Sequence, residues 1–366
     1  METRIALAGD VMIARGIDQI MPRSVDPELR EPAVRDARDY IGLAEEANGP
    51  IPRDVDPDYV WGDALETLRA FDPHATVVNL ETSLTTESTF DPAKGIHYRA
   101  HPANAAVAAV PPRVVCTLAN NHVLDFGTAG LHETLATLRD EKLPACGAGL
   151  RAGEAQAPEV RVHGGASVVV LSCCAGDSGV PSDWNAGRGR GGVYRIERMD
   201  GAAVEEIRRL TTEAGGPEAT RVVSLHWGGN WGYAVEAEKR EFAHALVDAG
   251  AADVVHGHSS HHPRPVEVYR GRLMLYGCGD LINDYEGIRG HGGYRPELAA
   301  VYLVSLDPAR TPPARLRVVP FRRRRFRLEG AGDDEAAWLA RTLTEENRRV
   351  DGPPLRVTPD GLLVEA

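Results

Sequence analysis

The chain has 366 residues, a net charge of -12 at pH 7, and ordinary shares of apolar (43%) and charged (26%) residues. This composition is typical of a soluble globular protein and excludes a disordered or fibrous class. The negative net charge argues against general nucleic-acid binding, because such binding needs a basic face. We therefore expect no nucleic-acid partner. The run Arg322–Arg325 is a local exception, typical of a strand face or turn, with polyanion binding as the less favoured alternative.

The first residues, METRIALAGD, lead directly into a strand pattern and lack the apolar stretch and cleavage site of a signal peptide. No run approaches the ~18 apolar residues that a membrane-spanning helix needs. We therefore expect a cytoplasmic protein without a membrane partner. The five cysteines are scattered through apolar segments, which favours reduced core thiols over a disulfide framework.

Short apolar runs alternate along the chain with amphipathic segments, which predicts an α/β fold. Strands are predicted at Arg4–Ala8, Ala75–Leu80, Arg113–Ala119, Ser167–Cys173, Thr220–Leu225, Leu298–Leu306 and Leu316–Phe321, and Val266–Val268 with Leu273–Tyr276 as a hairpin. Helices are predicted at Glu31–Asn48, Trp61–Phe71, Thr128–Lys142, Arg195–Leu210, Glu236–Ala249 and Asp334–Arg349. We expect one domain over 1–330, with a surface insertion at about 22–57, and a C-terminal helix and tail over 331–366 packed on it.

Side chains able to bind a metal follow five of the predicted strands. They are Asp10, then Asn79 with Glu81, then Asn121 with His122, then His226, and finally His258 with His261. The carboxyl ends of strands are where α/β sheets bind their ligands. A single residue of this kind is more often a cap or a turn residue. Five such strand ends, mixing carboxylate, amide and imidazole groups, predict a centre of two metal ions bridged by an acidic residue.

The densest part of this pattern is Asp253–Val268, where four histidines fall within seven positions after a short apolar run. Neutral imidazole is the commonest protein ligand for transition metals. We expect His256, on the strand, to point into packing and His262 either to support a ligand residue or to lie at the rim of the pocket. Asp280, beside two glycines at a later strand end, is either a turn residue or the partner of a ligand histidine.

Other polar residues near these strand ends are candidates for catalysis and substrate binding. His122 is a candidate general acid, provided that Asp125 or another carboxylate raises its basicity. The residues that we expect to contact an anionic substrate are Arg15, Asn79, His97 and Arg99. For the loop around Arg99, plain surface is an equally good interpretation. The glycine-rich segment Ala175–Gly192 either folds over a substrate or is merely mobile.

The ordered series of motifs resembles the CapA family of poly-gamma-glutamate synthesis proteins, within the calcineurin-like metallophosphoesterase superfamily. The motifs are GDVMIARG, NLETSLT, LANNHVLDFG, HWGGNWGY and GHSSHHPRPVEVYRG with LYGCGD. Together they extend from residue 4 to about residue 285. The resemblance implies a four-layer α/β/β/α sandwich of metallophosphoesterase type that holds two divalent transition-metal ions, Mn, Fe or Zn.

The resemblance also implies a role for each matching residue. Asp10 and His261 would bind the first metal, Glu81 would bridge, Asn121, His226 and His258 would hold the second metal, and His122 would be the catalytic acid. Two positions depart from the superfamily pattern. Met12 stands where a metal-binding histidine is usual, and the bridging aspartate is here the longer Glu81.

These residues predict a metal-dependent hydrolase of a small anionic substrate, either a phosphoester or a gamma-glutamyl-type amide, in which a metal-bound hydroxide attacks. The alternative is a non-catalytic or accessory protein that binds an anionic polymer in poly-gamma-glutamate or capsule synthesis. Met12 and the run Arg322–Arg325 favour this alternative. A ligase is the least favoured function because the chain lacks a phosphate-binding glycine motif.

Overall fold

The structure is a computed structural model that describes residues 2–288, 290–307, 314–359 and 361–365, with side chains described as far as residue 362. The strands are β1 (Thr3–Val11), β2 (Ala75–Leu80), β3 (Ser83–Leu84), β4 (Arg99–Ala100), β5 (Val114–Thr117), β6 (Ala145–Cys146), β7 (Ala148–Gly149), β8 (Glu159–His163), β9 (Ala166–Ala175), β10 (Gly192–Val193), β11 (Arg195–Ile196), β12 (Thr220–His226), β13 (Val254–His258), β14 (Val266–Tyr269), β15 (Arg272–Leu275), β16 (Asp280–Ile282), β17 (Leu298–Leu306), β18 (Ala314–Arg324), β19 (Arg327–Gly330), β20 (Arg356–Thr358) and β21 (Gly361–Glu365). The helices are α1 (Arg38–Asn48), α2 (Ala64–Phe71), α3 (Ala105–Ala108), α4 (Gly127–Asp140), α5 (Ala152–Ala155), α6 (Gly201–Gly215), α7 (Ala237–Asp248) and α8 (Asp333–Asn347).

Most of the strands form two mixed sheets. The larger sheet has the order β20-β21-β18-β17-β1-β2-β5-β6, with β16 also beside β1 and β19 beside β18. The second sheet has the order β11-β9-β12-β13-β15-β14, with β8 on β9. In the larger sheet β1, β2 and β5 run parallel, and in the second sheet β9, β12 and β13 do so. The predicted α/β class is therefore confirmed.

Successive side chains of a strand point to opposite faces of its sheet, and this alternation determines what each face packs against. Ile5 and Leu7 of β1 point to one face and contribute to a core cluster that also contains Val168 of β9 and Val222 of β12. Ala6, on the opposite face of β1, belongs to a cluster with residues of α2 and α4. A third cluster joins the other face of the second sheet to α6 and α7. Because both faces of these strands are buried, they appear in the sequence as continuous apolar runs.

Three predicted helices begin later than expected by more than one residue, the smallest of these differences being that of α2, which begins at Ala64 and not at Trp61. The segment predicted as a helix at Glu31–Asn48 becomes helical only at Arg38, and Ile41 and Ala44 of this helix are buried in the core. The prediction of a helix at Arg195–Leu210 was wrong at its start, since Arg195–Ile196 is strand β11. Helix α6 begins at Gly201 because the side chain of Asp200 accepts hydrogen bonds from the backbone N–H groups of Ala202 and Ala203.

The hairpin prediction is confirmed, since β14 and β15 pair antiparallel and Tyr269 lies opposite Arg272. The arginine run ends β18, and Arg325 lies in the turn that leads to β19. The side chain of Arg323 points into the protein, whereas that of Arg324 is about half exposed. Among the described residues, no helix is both long and apolar enough to cross a membrane.

Candidate metal centre

The strand ends that carry polar residues meet at one edge of the two sheets. In the larger sheet, Asp10 lies beside Asn79 of β2 and also beside Asp280 of β16. In the second sheet, His226 of β12 lies beside His258 of β13. Parallel strands bring their carboxyl ends to the same edge, and the packing of the two sheets brings the two edges together.

Three buried side chains form the centre of this site. Within the part of the chain that the structure describes, Asp10, His226 and His258 make up a group whose possible ligand atoms all lie within 4.8 Å of one another. His226 Nδ1 lies 2.9 Å from His258 Nδ1, and His258 Nδ1 lies 3.7 Å from Asp10 Oδ1. Imidazole and carboxylate groups in this number suit a divalent transition metal.

A chain of hydrogen bonds fixes which nitrogen of His258 carries its proton. His256 Nε2 donates to the carbonyl oxygen of Ala8 at 2.9 Å, so its Nδ1 accepts from the Ser224 hydroxyl at 3.1 Å. The Ser224 oxygen in turn accepts from His258 Nε2 at 2.9 Å. Burial lowers the pKa of His256 to about 4 and that of His258 well below its usual range, so both rings are neutral. The lone pair of His258 is therefore on Nδ1, facing His226.

His226 also presents a lone pair toward His258, because a hydrogen bond places its ring proton on the other nitrogen. Its Nε2 lies 3.1 Å from Asn121 Oδ1, an acceptor, so Nε2 carries the proton and Nδ1 does not. Two lone pairs that face each other at 2.9 Å repel unless a cation lies near both. This donor set therefore fits a bound metal ion. Asn121 contacts the ring nitrogen of His226 that points away from His258.

Buried carboxylates add negative charge to the site. Burial and the nearby Asp280 raise the pKa of Asp10 to about 7. Burial and the charge of Asp10 raise the pKa of Glu81 well above its usual range. Carboxyl groups are perturbed in this way when they lie close together with too little positive charge around them. A divalent cation would stabilise both as carboxylates.

Asn79 lies between Asp10 and Glu81. Its side-chain nitrogen donates to Asp10 Oδ1 at 2.8 Å and to Glu81 Oε2 at 2.9 Å, and its oxygen accepts from Asn120 Nδ2 at 3.0 Å. Asn79 is fully buried, and both of its amide protons are held by protein carboxylates. The geometry therefore does not favour Asn79 as a contact for substrate.

His122 and Asp125 form the predicted pair, with His122 Nδ1 2.6 Å from Asp125 Oδ2 and His122 Nε2 3.8 Å from Glu81 Oε1. Lys94, which we did not single out from the sequence, forms an ion pair with Asp125 and lies 3.3 Å from His122 Nδ1. Burial lowers the pKa of His122 to about 4, Asp125 opposes this effect, and Lys94 adds to it. Asp125 therefore raises the basicity of His122 as expected, but burial outweighs this effect and the ring is neutral at pH 7.

His261 lies beside this cluster and is bound to a carboxylate. Its Nδ1 lies 2.9 Å from Asp280 Oδ1, so the interpretation of Asp280 as the partner of a histidine agrees with the geometry. Burial opposes ionisation of Asp280, but the charge of His261 holds its pKa below the usual range. His262 is buried, and its Nε2 accepts from the backbone N–H of Gly232 at 3.1 Å.

Three of the four predicted substrate contacts, Arg15, His97 and Arg99, line one cavity of about 480 Å³, whereas Asn79 does not. Arg15 is buried and paired with Asp284 and Glu31, so its guanidinium already has protein partners. No local sequence signal indicates that Arg15 pairs with Asp284, because the two residues are 269 positions apart.

Comparison with known proteins supports one family. The sequence pattern described as bacterial capsule synthesis protein PGA_cap matches residues 4–285. Probable polyglutamine synthesis accessory proteins of two Mycobacterium tuberculosis strains, CDC 1551 / Oshkosh and H37Rv, are each 44% identical over 363 residues, which cover 98% of this chain and 94% of theirs. The PGA biosynthesis protein CapA of Bacillus subtilis strain 168 is 27% identical over 208 residues, which cover 56% of this chain and 52% of CapA. A hypothetical protein of Thermus thermophilus with a crystal structure aligns at 14% identity and a TM-score of 0.45, over 87% of this chain and 99% of that one.

Proposed function

This chain belongs to the bacterial capsule synthesis protein PGA_cap family, and from this premise we propose that it is an accessory protein in the synthesis of a glutamate-derived polymer. The observation that carries the proposal is the similarity to the Mycobacterium proteins, which extends over 98% of this chain. The proposal adopts the accessory function that the sequence offered as its alternative. It includes a divalent-metal centre held by Asp10, His226 and His258, with Glu81 close by.

The cavity around Arg99 is the proposed place for an anionic polymer chain. The Arg99 guanidinium donates to the backbone carbonyl groups of Glu87 and Asp26 and lies over the ring of Phe126 at 5.0 Å. In the described part of the chain, Arg99 has no carboxylate within ion-pair distance. Asp26 and Glu28 act on its charge from a distance, but its guanidinium can still pair directly with a carboxylate of the ligand, while Phe126 offers an apolar surface to the chain between carboxylates.

The test is binding of fluorescently labelled poly-gamma-glutamate oligomers, measured by anisotropy at low salt. We expect Arg99→Ala to weaken binding about tenfold, the effect of losing roughly 1.4 kcal/mol. Arg208→Ala is the matched control, since Arg208 is a partly exposed arginine on α6, paired with Glu205. Absence of binding by the wild-type protein, with or without added Mn²⁺, would refute the polymer-binding proposal.

A second candidate function is hydrolysis of an anionic ester or gamma-glutamyl amide. It is favoured by the His122–Asp125 pair, because a proton-transfer group at the edge of a metal centre has no use in simple binding. A metal ion there would supply an activated water and polarise the group under attack. Asp125 orients the ring through Nδ1, which leaves His122 Nε2 directed toward Glu81 and able to exchange a proton with a leaving group.

His122→Ala separates the two functions. A hydrolase loses turnover of a phosphoester or gamma-glutamyl amide by a factor of about 10² to 10⁴, while its metal content stays unchanged. A binding protein keeps its affinity for the polymer and shows no turnover in either form. Product release measured by mass spectrometry, with metal content measured on the same samples, distinguishes these outcomes.

The proposal also includes the four-layer α/β/β/α sandwich that the family resemblance predicts. It is supported by the three core clusters: one between the two sheets, one between the larger sheet and α2 and α4, and one between the second sheet and α6 and α7. In this arrangement the metal centre lies where the carboxyl ends of both inner sheets meet.

A further inference from the structure

We infer that the centre holds one metal ion per chain, not the two that the family resemblance implies. The ion belongs to the side of the site formed by Asp10, His226 and His258. Among the residues that the structure describes, the other side of the site lacks a complete ligand set for a second ion. The groups there are the Asn79 amide, Met12 and the His261–Asp280 pair. This inference rests on the metal centre of the proposed function and concerns only how many ions it takes.

The orientation of the Asn79 amide is fixed by backbone groups. Asn120 Oδ1 accepts from the backbone N–H groups of His122 and Val123, each at 3.0 Å, so the Asn120 nitrogen must face the other way. That nitrogen donates to Asn79 Oδ1 at 3.0 Å and to the carbonyl oxygen of Leu80 at 2.9 Å. Asn79 therefore turns its NH₂ group, and not its oxygen, toward the carboxylates.

This orientation has a direct consequence for the second ion. The NH₂ group of Asn79 lies between Asp10 Oδ1 and Glu81 Oε2, at 2.8 and 2.9 Å. An ion bridging these two oxygens would meet two N–H donors instead of lone pairs. The amide thus takes the place of a cation between Asp10 Oδ1 and Glu81 Oε2, and its oxygen, which faces Asn120, cannot serve as a substitute ligand.

Met12 lies on the same side of the site and presents an apolar surface there. It is 3% exposed and packs in a small cluster with Ala14 and Tyr98, against which Ile96 and Tyr285 also pack. The hydroxyl of Tyr285 lies 3.7 Å from Met12 Sδ. A thioether is a soft, weak ligand for Mn²⁺, and here its sulfur already has a neighbour.

His261 is the remaining candidate ligand on that side. Its ring lies between Trp231 and Tyr285, with centroids at 5.4 and 5.5 Å. Both oxygens of its partner Asp280 are already engaged, by His261 Nδ1 and by the Asn283 amide at 2.7 Å. In the described residues, His261 is not part of any group of three close ligand atoms. Asp280 thus fixes the His261 ring through Nδ1 and leaves Nε2 as its one possible ligand atom, which by itself does not make a metal site.

The experiment measures how many ions bind to the full-length protein. Chelator-treated protein is titrated with Mn²⁺, free Mn²⁺ is followed by electron paramagnetic resonance, and bound metal is checked by elemental analysis. The matched variants are His258→Ala, which removes a ligand, and His261→Ala, which removes a largely buried imidazole whose charge also acts on Asp10. Circular dichroism confirms that each variant is folded.

We expect one Mn²⁺ per wild-type chain, the same number for His261→Ala, and affinity at least tenfold lower for His258→Ala. Two ions per wild-type chain, or loss of the ion in folded His261→Ala, would overturn the inference. The wild-type count decides the question even if His258→Ala fails to fold. No uptake by folded wild-type protein would instead refute the metal centre of the proposed function, and the single-ion inference with it.

Discussion

His226 Nδ1 lies 2.9 Å from His258 Nδ1, with the proton of each ring on the opposite nitrogen. These residues end neighbouring parallel strands, so the sheet register itself brings the rings together. Because two lone pairs repel at this distance, the pair is arranged for a shared cation. The hydrogen bonds that set this arrangement provide the first prediction.

Ser224→Ala is expected to weaken metal binding by a factor of about 10 to 100, because loss of a hydrogen bond behind a ligand histidine frees its tautomer and orientation. Ser224 connects His256 to His258. Ser172→Ala is the control, since Ser172 is equally buried, lies beside Ser224 in the sheet register and contacts the backbone of Ala119 instead. Isothermal titration with Mn²⁺ measures both affinities, and equal values for the two variants would contradict the proposed chain of hydrogen bonds.

Gly9→Ala is expected to destabilise the fold by about 1–3 kcal/mol or more, the usual cost of overpacking. A Cβ atom at Gly9 would lie 1.7 Å from the carbonyl oxygen of Gly279, in the strand pair that positions Asp10. Gly42→Ala is the control: a Cβ there meets no atom within 4 Å, and Gly42 lies inside α1. That change should stabilise the protein by about 0.5–1 kcal/mol. Urea unfolding gives both values. If Gly9→Ala left the free energy of unfolding unchanged, β1 and β16 could not be as closely packed as in this structure.

Arg323→Met is expected to cost about 1–3 kcal/mol, because it leaves buried carbonyl groups without a donor. Arg323 donates to the carbonyl groups of Asp280, Pro296 and Leu298. Arg324→Met removes the same charge from a half-exposed position and should have little effect. Thermal unfolding of both variants tests whether the arginine run serves the fold. Equal stability losses would instead point to a role for the run's charge as a whole.

The pH dependence of stability should include a contribution from Asp18. Burial raises its pKa to about 6, although it accepts hydrogen bonds from the backbone N–H groups of Val25 and His101. Because the folded pKa lies above the unfolded pKa, the stabilisation is complete below the unfolded value and is lost as pH rises through about 6. The unfolding free energy of the wild type, minus that of Asp18→Asn, should therefore fall between pH 4 and pH 7. A constant difference would show that burial does not perturb this carboxyl group.

The secondary structure was largely predictable because its signals are local. Apolar runs such as Ala75–Leu80 are buried strands with the predicted bounds, and β17 matches Leu298–Leu306. One error, the start of α6, has a local cause, because Asp200 caps the helix and sets its first turn. The segment before it, Arg195–Ile196, pairs with β9 through a contact that sequence periodicity does not reveal.

The sequence by itself determined which residues reach the strand ends, because a buried parallel strand must end in the loop that binds ligands. It thereby identified Asp10, His226 and His258, which the structure brings within 4.8 Å of one another. It did not determine which atoms face each other or which charges are already paired. Those features depend on contacts between the two sheets and with distant segments.

Arg15 illustrates the difference, since the sequence identified it as a cation near the site but did not reveal that it pairs with Asp284. Asn79 illustrates it further, because Asn120 and two backbone N–H groups decide which end of its amide faces the carboxylates. A side chain's identity is known from the sequence, but its orientation depends on the hydrogen-bond donors and acceptors that packing places around it. For this protein, the sequence led us to expect two metal ions, and the contacts in the tertiary structure lead us to infer one.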